Sequence, residues 1–170
     1  MPLVYGLSEL FGEHHKRVLR AAYRITGSMA DAEDVTQAVF LRLAGDTGPV
    51  TNAASYLYRA AINGSLDLLR RRKTGSTEPL ENAAQIASTG PNSSPEREAS
   101  SRELGEILRL AIAELPPRAA EMFTLRYLEE LGNREIAALM GTSQAVVAVT
   151  LHQARSRLKK RLNEFDRGRR

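Results

Sequence analysis

Three groups of residues in this chain have types and spacings that can do chemistry. The first lies between Asn133 and Leu162, which reads NREIAALMGTSQAVVAVTLHQARSRLKKRL. Ile136, Ala137 and Met140 recur at helical spacing over about Arg134 to Met140. Gly141 then supplies a left-handed residue that ends a helix at little cost, and Ser143 is a natural N-cap for the next one. From there Val147, Leu151, Ala154, Leu158 and Leu162 fall three or four apart as a buried stripe, while Arg155, Arg157, Lys159, Lys160 and Arg161 occupy the remaining surface. Two helices joined this way form a helix-turn-helix, whose second helix can enter a DNA major groove. The second group, Arg59, Asn63, Asp67 and Arg70, shares one helix face and runs into Arg71, Arg72 and Lys73, so a polar stripe ends in a cationic cluster. The third, Asp31, Glu33 and Asp34, could suggest a metal site. However, these acids bunch at a helix start and no second carboxylate or histidine group completes them. His14 and His15 are adjacent and therefore point to different sides of one helix. We expect no metal, no cofactor and no catalytic residue.

The composition fits a protein that touches DNA locally. The chain has 170 residues with 24 Lys and Arg against 20 Asp and Glu, a mild excess of cations rather than a polycationic coat. It contains no cysteine, which excludes disulfides and Cys-based zinc sites. The start, MPLVYGLSELFGEHHK, carries acids and histidines and no long apolar run, unlike a signal peptide or a membrane span. The expected location is cytoplasmic, with no membrane contact of its own.

All the positioning elements read as helices. Leu7, Leu10, Phe11, Val18, Ala22 and Ile25 form one stripe, ended by Gly27. Ser28 with Asp31 makes a start like a capping box, followed by Ala32, Val35, Val39, Phe40 and Leu43. A third helix, capped by Thr51 or Asn52, carries a narrow seam of Leu57, Ala61, Gly64 and Leu68. Residues 74 to 102 are rich in Ser, Thr, Gly and Pro and have a linker composition; their length exceeds that of usual connections within a domain. Beyond them Leu104, Ile107, Leu108, Ala111 and Leu115 form a helical stripe stopped by Pro116 and Pro117. The next helix begins near Pro117 and should pack Phe123, Leu125, Tyr127 and Leu128 around the helix-turn-helix. The expected fold is all-α, with two small helical domains (1–73 and 103–170) on a flexible linker (74–102).

Four segments, in this order, carry a family resemblance: GSMADAEDVTQAVFLRL (27–43), SYLYRAAINGSLDLLRRRK (55–73), ELPPRAAEMFTLRYLEELGNREIAALMGTS (114–143) and LHQARSRLKKRL (151–162). Together they resemble the extracytoplasmic-function (ECF, group IV) sigma factors of the sigma-70 superfamily. The resemblance implies a three-helix region 2, a variable connector and a region 4 ending in the helix-turn-helix. It also implies a non-enzymatic factor that directs core RNA polymerase to promoters and helps open the minus-10 element.

The resemblance assigns roles by position. Asp34, Gln37 and Leu41 match the face that docks on the polymerase clamp coiled coil, and an acidic, amide-bearing surface suits a partner presenting arginines. The same acids also favour a helix N-terminus through the macrodipole. Ala38 departs from the family, which usually has an acid there. The loop Gly45 to Asn52 matches the segment that captures a flipped minus-10 base, and Arg59, Asn63, Asp67, Arg70 and Arg71 match the helix facing that strand. Tyr56 stands at the family's tryptophan position and reads as core rather than stacking platform; Ile62 replaces a residue that is commonly basic. Region 4 is implied to grip the polymerase flap and read the minus-35 element, with Ser143, Gln144, Thr150, His152, Gln153, Arg155 and Arg157 as its DNA residues. Its recognition helix is unusual in opening with Ala145, Val146, Ala148 and Val149. Such side chains contact thymine methyls but make no bidentate bonds to guanine, and the valines equally suit a protein-binding face. An anti-sigma partner is implied as well. The connector glutamates Glu78, Glu81, Glu96 and Glu98 fit both a positively charged polymerase channel and simple solubility. The alternative is a helix-turn-helix regulator that does not act as a sigma factor.

Overall fold

The computed structural model describes residues 6–46, 52–75 and 94–170. Seven helices make up the ordered elements among these residues, with no strand. They are α1 (Leu7–Thr26), α2 (Met29–Gly45), α3 (Ala53–Gly75), α4 (Pro95–Ala113), α5 (Pro117–Tyr127), α6 (Asn133–Met140) and α7 (Gln144–Gly168). Contacts divide the chain into two units, Met1–Leu68 and Leu69–Arg170.

In the first unit α1 ends where Gly27 takes φ 70° and its N–H reaches Tyr23 O. The chain reverses at once, because the Ser28 side chain accepts from Asp31 N at 3.3 Å and starts α2. A cap of this kind stabilises a helix by about 1 kcal/mol. For α3 the cap is Asn52, whose Oδ1 accepts from Ser55 N at 3.1 Å; Thr51 lies outside the described residues. Val18 and Ala22 of α1, Ala32, Val35, Val39, Phe40 and Leu43 of α2, and Leu57 and Ala61 of α3 form one buried cluster. A side chain at Gly64 would put its Cβ 3.3 Å from Val35 Cγ1, so the small residue in the α3 seam sets the approach to α2. Tyr56 packs partly buried against the same cluster, the core role expected of it. Tyr58 is buried, with the Arg17 guanidinium 4.4 Å above its ring.

In the second unit α7 packs on α4, α5 and α6. Ile112 and Leu115, Met122 and Leu125, Ile136 and Met140, and Val147, Leu151 and Leu158 are among its buried apolar side chains. Pro117 opens α5 at its first turn as expected. Gly141 takes φ 63°, Ser143 accepts from Val146 N at 3.2 Å, and the three-residue turn between α6 and α7 is the helix-turn-helix.

Two expectations need correction. The stretch 74 to 102 is helical at both ends: α3 continues to Gly75, and α4 begins at Pro95, capped by Ser94 with Glu96 and Glu98 in its first turn. Those two glutamates therefore belong to a helix start, where a carboxylate favours the dipole, and residues 76–93, with Glu78 and Glu81, lie outside the described residues. Second, Leu7, Phe11 and Leu104, expected on buried stripes, are exposed, as is Tyr127.

Candidate functional site

Helix α7 turns Val147, Leu151, Ala154 and Leu158 inward. At ~100° per residue, the opposite face is centred on Val149, Ser156 and Lys160, all exposed. Arg155 and Arg157 are ~200° apart around the axis and so flank that face on its two edges. A helix lying in a groove meets one phosphate backbone along each edge, which makes this a geometry for bracing the helix rather than for reading bases. Gln144, His152 and Gln153 are exposed, and Thr150 is half-buried. Ser143 is exposed, and its hydroxyl oxygen accepts from the Val146 N–H while keeping its own proton to donate. Val146 and Val149 are 45% and 57% exposed, so the centre of the face presents methyl groups with polar groups beside them. The basic run is not uniformly available for phosphates. Arg161 pairs with Glu114 at 3.4 Å and Glu164 at 3.8 Å.

Along α3, Arg59 and Asn63 are half-buried while Asp67 and Arg71 are exposed. Arg59, Asp67 and Arg71 each already engage a partner within the protein. The last turn of α3 groups with the second unit, where Arg70 Nε donates to Ala113 O at 2.6 Å and Lys73 pairs with Glu114. Arg70 is thus committed to a helix C-terminus here, a use that spacing along α3 does not reveal. The loop expected to hold a flipped base, Gly45 to Asn52, falls largely outside the described residues, from 47 to 51.

On α2 the structure brings Asp34, Gln37 and Leu41 onto one exposed face, three and four residues apart, with Leu41 65% exposed. Gln37 and Leu41 border an open apolar groove of about 740 Å³ between α1 and α2, lined by Leu7, Phe11, His15, Leu19 and Phe40. The Phe11 ring meets Phe40 edge-on at 5.0 Å and lies 4.5 Å from His15. The groove is hidden in the sequence because Leu7 and Phe11 fall on the apolar stripe of α1; Leu41, an apolar residue off the α2 stripe, is the signal that marks it. Among the described residues, no group of three or more His, Cys, Asp or Glu could hold a metal ion, and no helix is long and apolar enough to cross a membrane.

Two family models match the chain, sigma-70 region 2 over residues 10–75 and sigma-70 region 4 over residues 105–158. The chain is 31% identical over 152 residues to the RNA polymerase sigma-E factor of Streptomyces avermitilis, covering 88% of this chain and 80% of that protein. It belongs to the ECF sigma factors of the sigma-70 family. It is also 33% identical over 154 residues to the ECF RNA polymerase sigma factor SigE of Mycolicibacterium smegmatis, which covers 89% of this chain but only 59% of that longer relative. Among solved structures, the sigma factor RpoE of Bartonella quintana in complex with the anti-sigma factor NepR aligns over 90% of this chain and 96% of that one, at 18% identity and a TM-score of 0.49. This sigma factor is a promoter-directing component of transcription initiation. Its region 2 match takes in α1 to α3 with the exposed α2 face, and its region 4 match takes in the helix-turn-helix through Leu158 of α7.

Proposed function

We propose that this sigma factor docks on core RNA polymerase through Asp34, Gln37 and Leu41. On the same reading it engages the displaced minus-10 strand through Arg59, Asn63, Asp67 and Arg71, and lays α7 into the minus-35 major groove. The observation that carries the reading is the exposed α2 face of Asp34, Gln37 and Leu41 beside the 740 Å³ apolar groove, in the same chain as a helix-turn-helix whose recognition helix is flanked by arginines on both edges. An exposed leucine ringed by an acid and an amide is costly for a protein acting alone and useful at an interface. A melted strand offers unstacked bases and phosphates, and a polar stripe with adjacent cations supplies hydrogen bonds and neutralisation for both. Arg70 joins the minus-10 set only if its bond to Ala113 is released. Region 4 grips the polymerase flap, and the two halves act as separate domains. An anti-sigma protein competes for the α1–α2 groove, because covering Leu7, Phe11 and Leu41 also covers the polymerase face. The chain acts without a cofactor and in the cytoplasm.

Run-off transcription by purified core polymerase with this protein on a promoter library tests the reading. The expected result is initiation at a discrete subset of templates, lost without the protein. DNA binding that never programs core polymerase would instead assign the chain to helix-turn-helix regulators.

A further inference from the structure

One contact in the second unit is unexplained by packing. Tyr127 ends α5, and its ring lies 4.5 Å from that of Phe123, yet it is 44% exposed. Its hydroxyl oxygen accepts a hydrogen bond from Arg155 Nη1 at 2.5 Å, joining residues 28 positions apart. Among the described residues no carboxylate pairs with Arg155, in contrast to Arg161 on the same helix and to Arg169 and Arg170 just past its end. An exposed arginine held by a neutral hydroxyl keeps its full charge and four of its five N–H donors, and a carboxylate partner would have cancelled that charge.

We propose that Tyr127 is a positioning residue for phosphate binding, holding the Arg155 guanidinium at the edge of α7 where a DNA backbone passes. This rests on the reading that α7 enters a major groove. The ring fixes the hydroxyl through its contact with Phe123, and the hydroxyl fixes the guanidinium. The arginine therefore loses less side-chain freedom when it meets a phosphate than a free one would. The hydroxyl accepts from Arg155 and keeps its own proton, which it can donate to the same phosphate. Arg157 on the opposite edge has no such tether among the described residues and is the internal comparison.

The test uses the full chain and a labelled 30-base-pair duplex of mixed sequence, since a phosphate contact is independent of sequence, with affinity measured against NaCl concentration. Arg155→Ala should lower the slope of log affinity against log salt by about one. Tyr127→Phe keeps the ring and removes only the hydroxyl, so the thermal midpoint should stay at the parent value while affinity falls about three- to tenfold. In the Arg155→Ala background the same change should lose most of its effect, because there is no guanidinium left to hold. A silent Tyr127→Phe, or an equal effect in both backgrounds, overturns the proposal. If Arg155→Ala and Arg157→Ala each lower the slope while Tyr127→Phe is silent, the tether fails and the DNA reading stands. If neither arginine change lowers it, the DNA reading of α7 fails too.

Discussion

Placing a negative charge at Val149 tests whether α7 enters DNA. The side chain is 57% exposed at the centre of the face opposite the buried stripe, so Val149→Glu should leave the fold intact within about 0.5 kcal/mol. Glutamate is also the better helix former, by several tenths of a kcal/mol. In a major groove about 12 Å wide, a charge on the midline lies about 6 Å from each phosphate backbone. At an effective dielectric of about 20, that separation gives about 2.8 kcal/mol of repulsion per backbone. Screening over a Debye length of about 8 Å reduces it to about 1.3 kcal/mol. Two backbones together cost about 2–3 kcal/mol, or roughly a 30- to 150-fold loss of promoter affinity. Val149→Gln has similar bulk without the charge and should lose far less, which separates repulsion from altered shape. The assay is run-off transcription and promoter binding by reconstituted holoenzyme at two salt concentrations, with the Glu variant recovering relative to parent as salt rises. Parent-level activity of Val149→Glu at low salt refutes the placement. The exposed Val146 and Val149 would then be a protein-binding face.

Replacing Asp34 and Gln37 together with alanine should weaken core polymerase binding by about 1–5 kcal/mol, measured by competition for core, with the thermal midpoint unchanged because both side chains are exposed; unchanged competition removes this face from the interface. Glu130 adopts φ 58° between α5 and α6, a left-handed conformation that costs a side-chain-bearing residue about 1–2 kcal/mol. Glu130→Gly should accordingly raise unfolding free energy in a urea titration, by about 0.5–1 kcal/mol after glycine's extra unfolded-state entropy is subtracted. Limited proteolysis should cut within 76–93, the Ser, Thr, Gly and Pro-rich stretch, and leave two protected fragments; protection of that stretch in the free protein would count against two tethered domains.

The helix boundaries were legible because their signals are local. Gly27, Ser28, Asn52, Pro117, Gly141 and Ser143 act on backbone groups within three or four residues, so the residue type at each place predicts the turn it makes. The start of α4 was equally local, in Ser94, Pro95 and Glu96, but the absence of an apolar stripe in its first two turns made it read as linker. The stripe of α2, and that of α7 as far as Leu158, fell where periodicity put them, since one face of an amphipathic helix has nowhere else to go; on α3 only Leu57 and Ala61 of the expected seam are buried, and Tyr58, Ile62, Leu66 and Leu69 are buried with them. What periodicity cannot supply is how far the neighbouring helix reaches. Leu7 and Phe11 lie on the apolar side of α1 yet border, with Phe40 and Leu41 of α2, a groove that is open. Whether a cation is offered to DNA or spent inside the protein is also decided by distant residues. Arg161 meets Glu114 47 positions away, Arg70 meets Ala113 43 positions away, and Arg155 meets Tyr127 28 positions away. Sequence alone determined the starts of α2, α3, α5 and α7 and the buried side of α2 and α7, because those outcomes depend on interactions within a turn or two. Only the tertiary structure decided which of the exposed charges and apolar side chains remain available to a partner, because that depends on what the other helices bring to within a few ångströms.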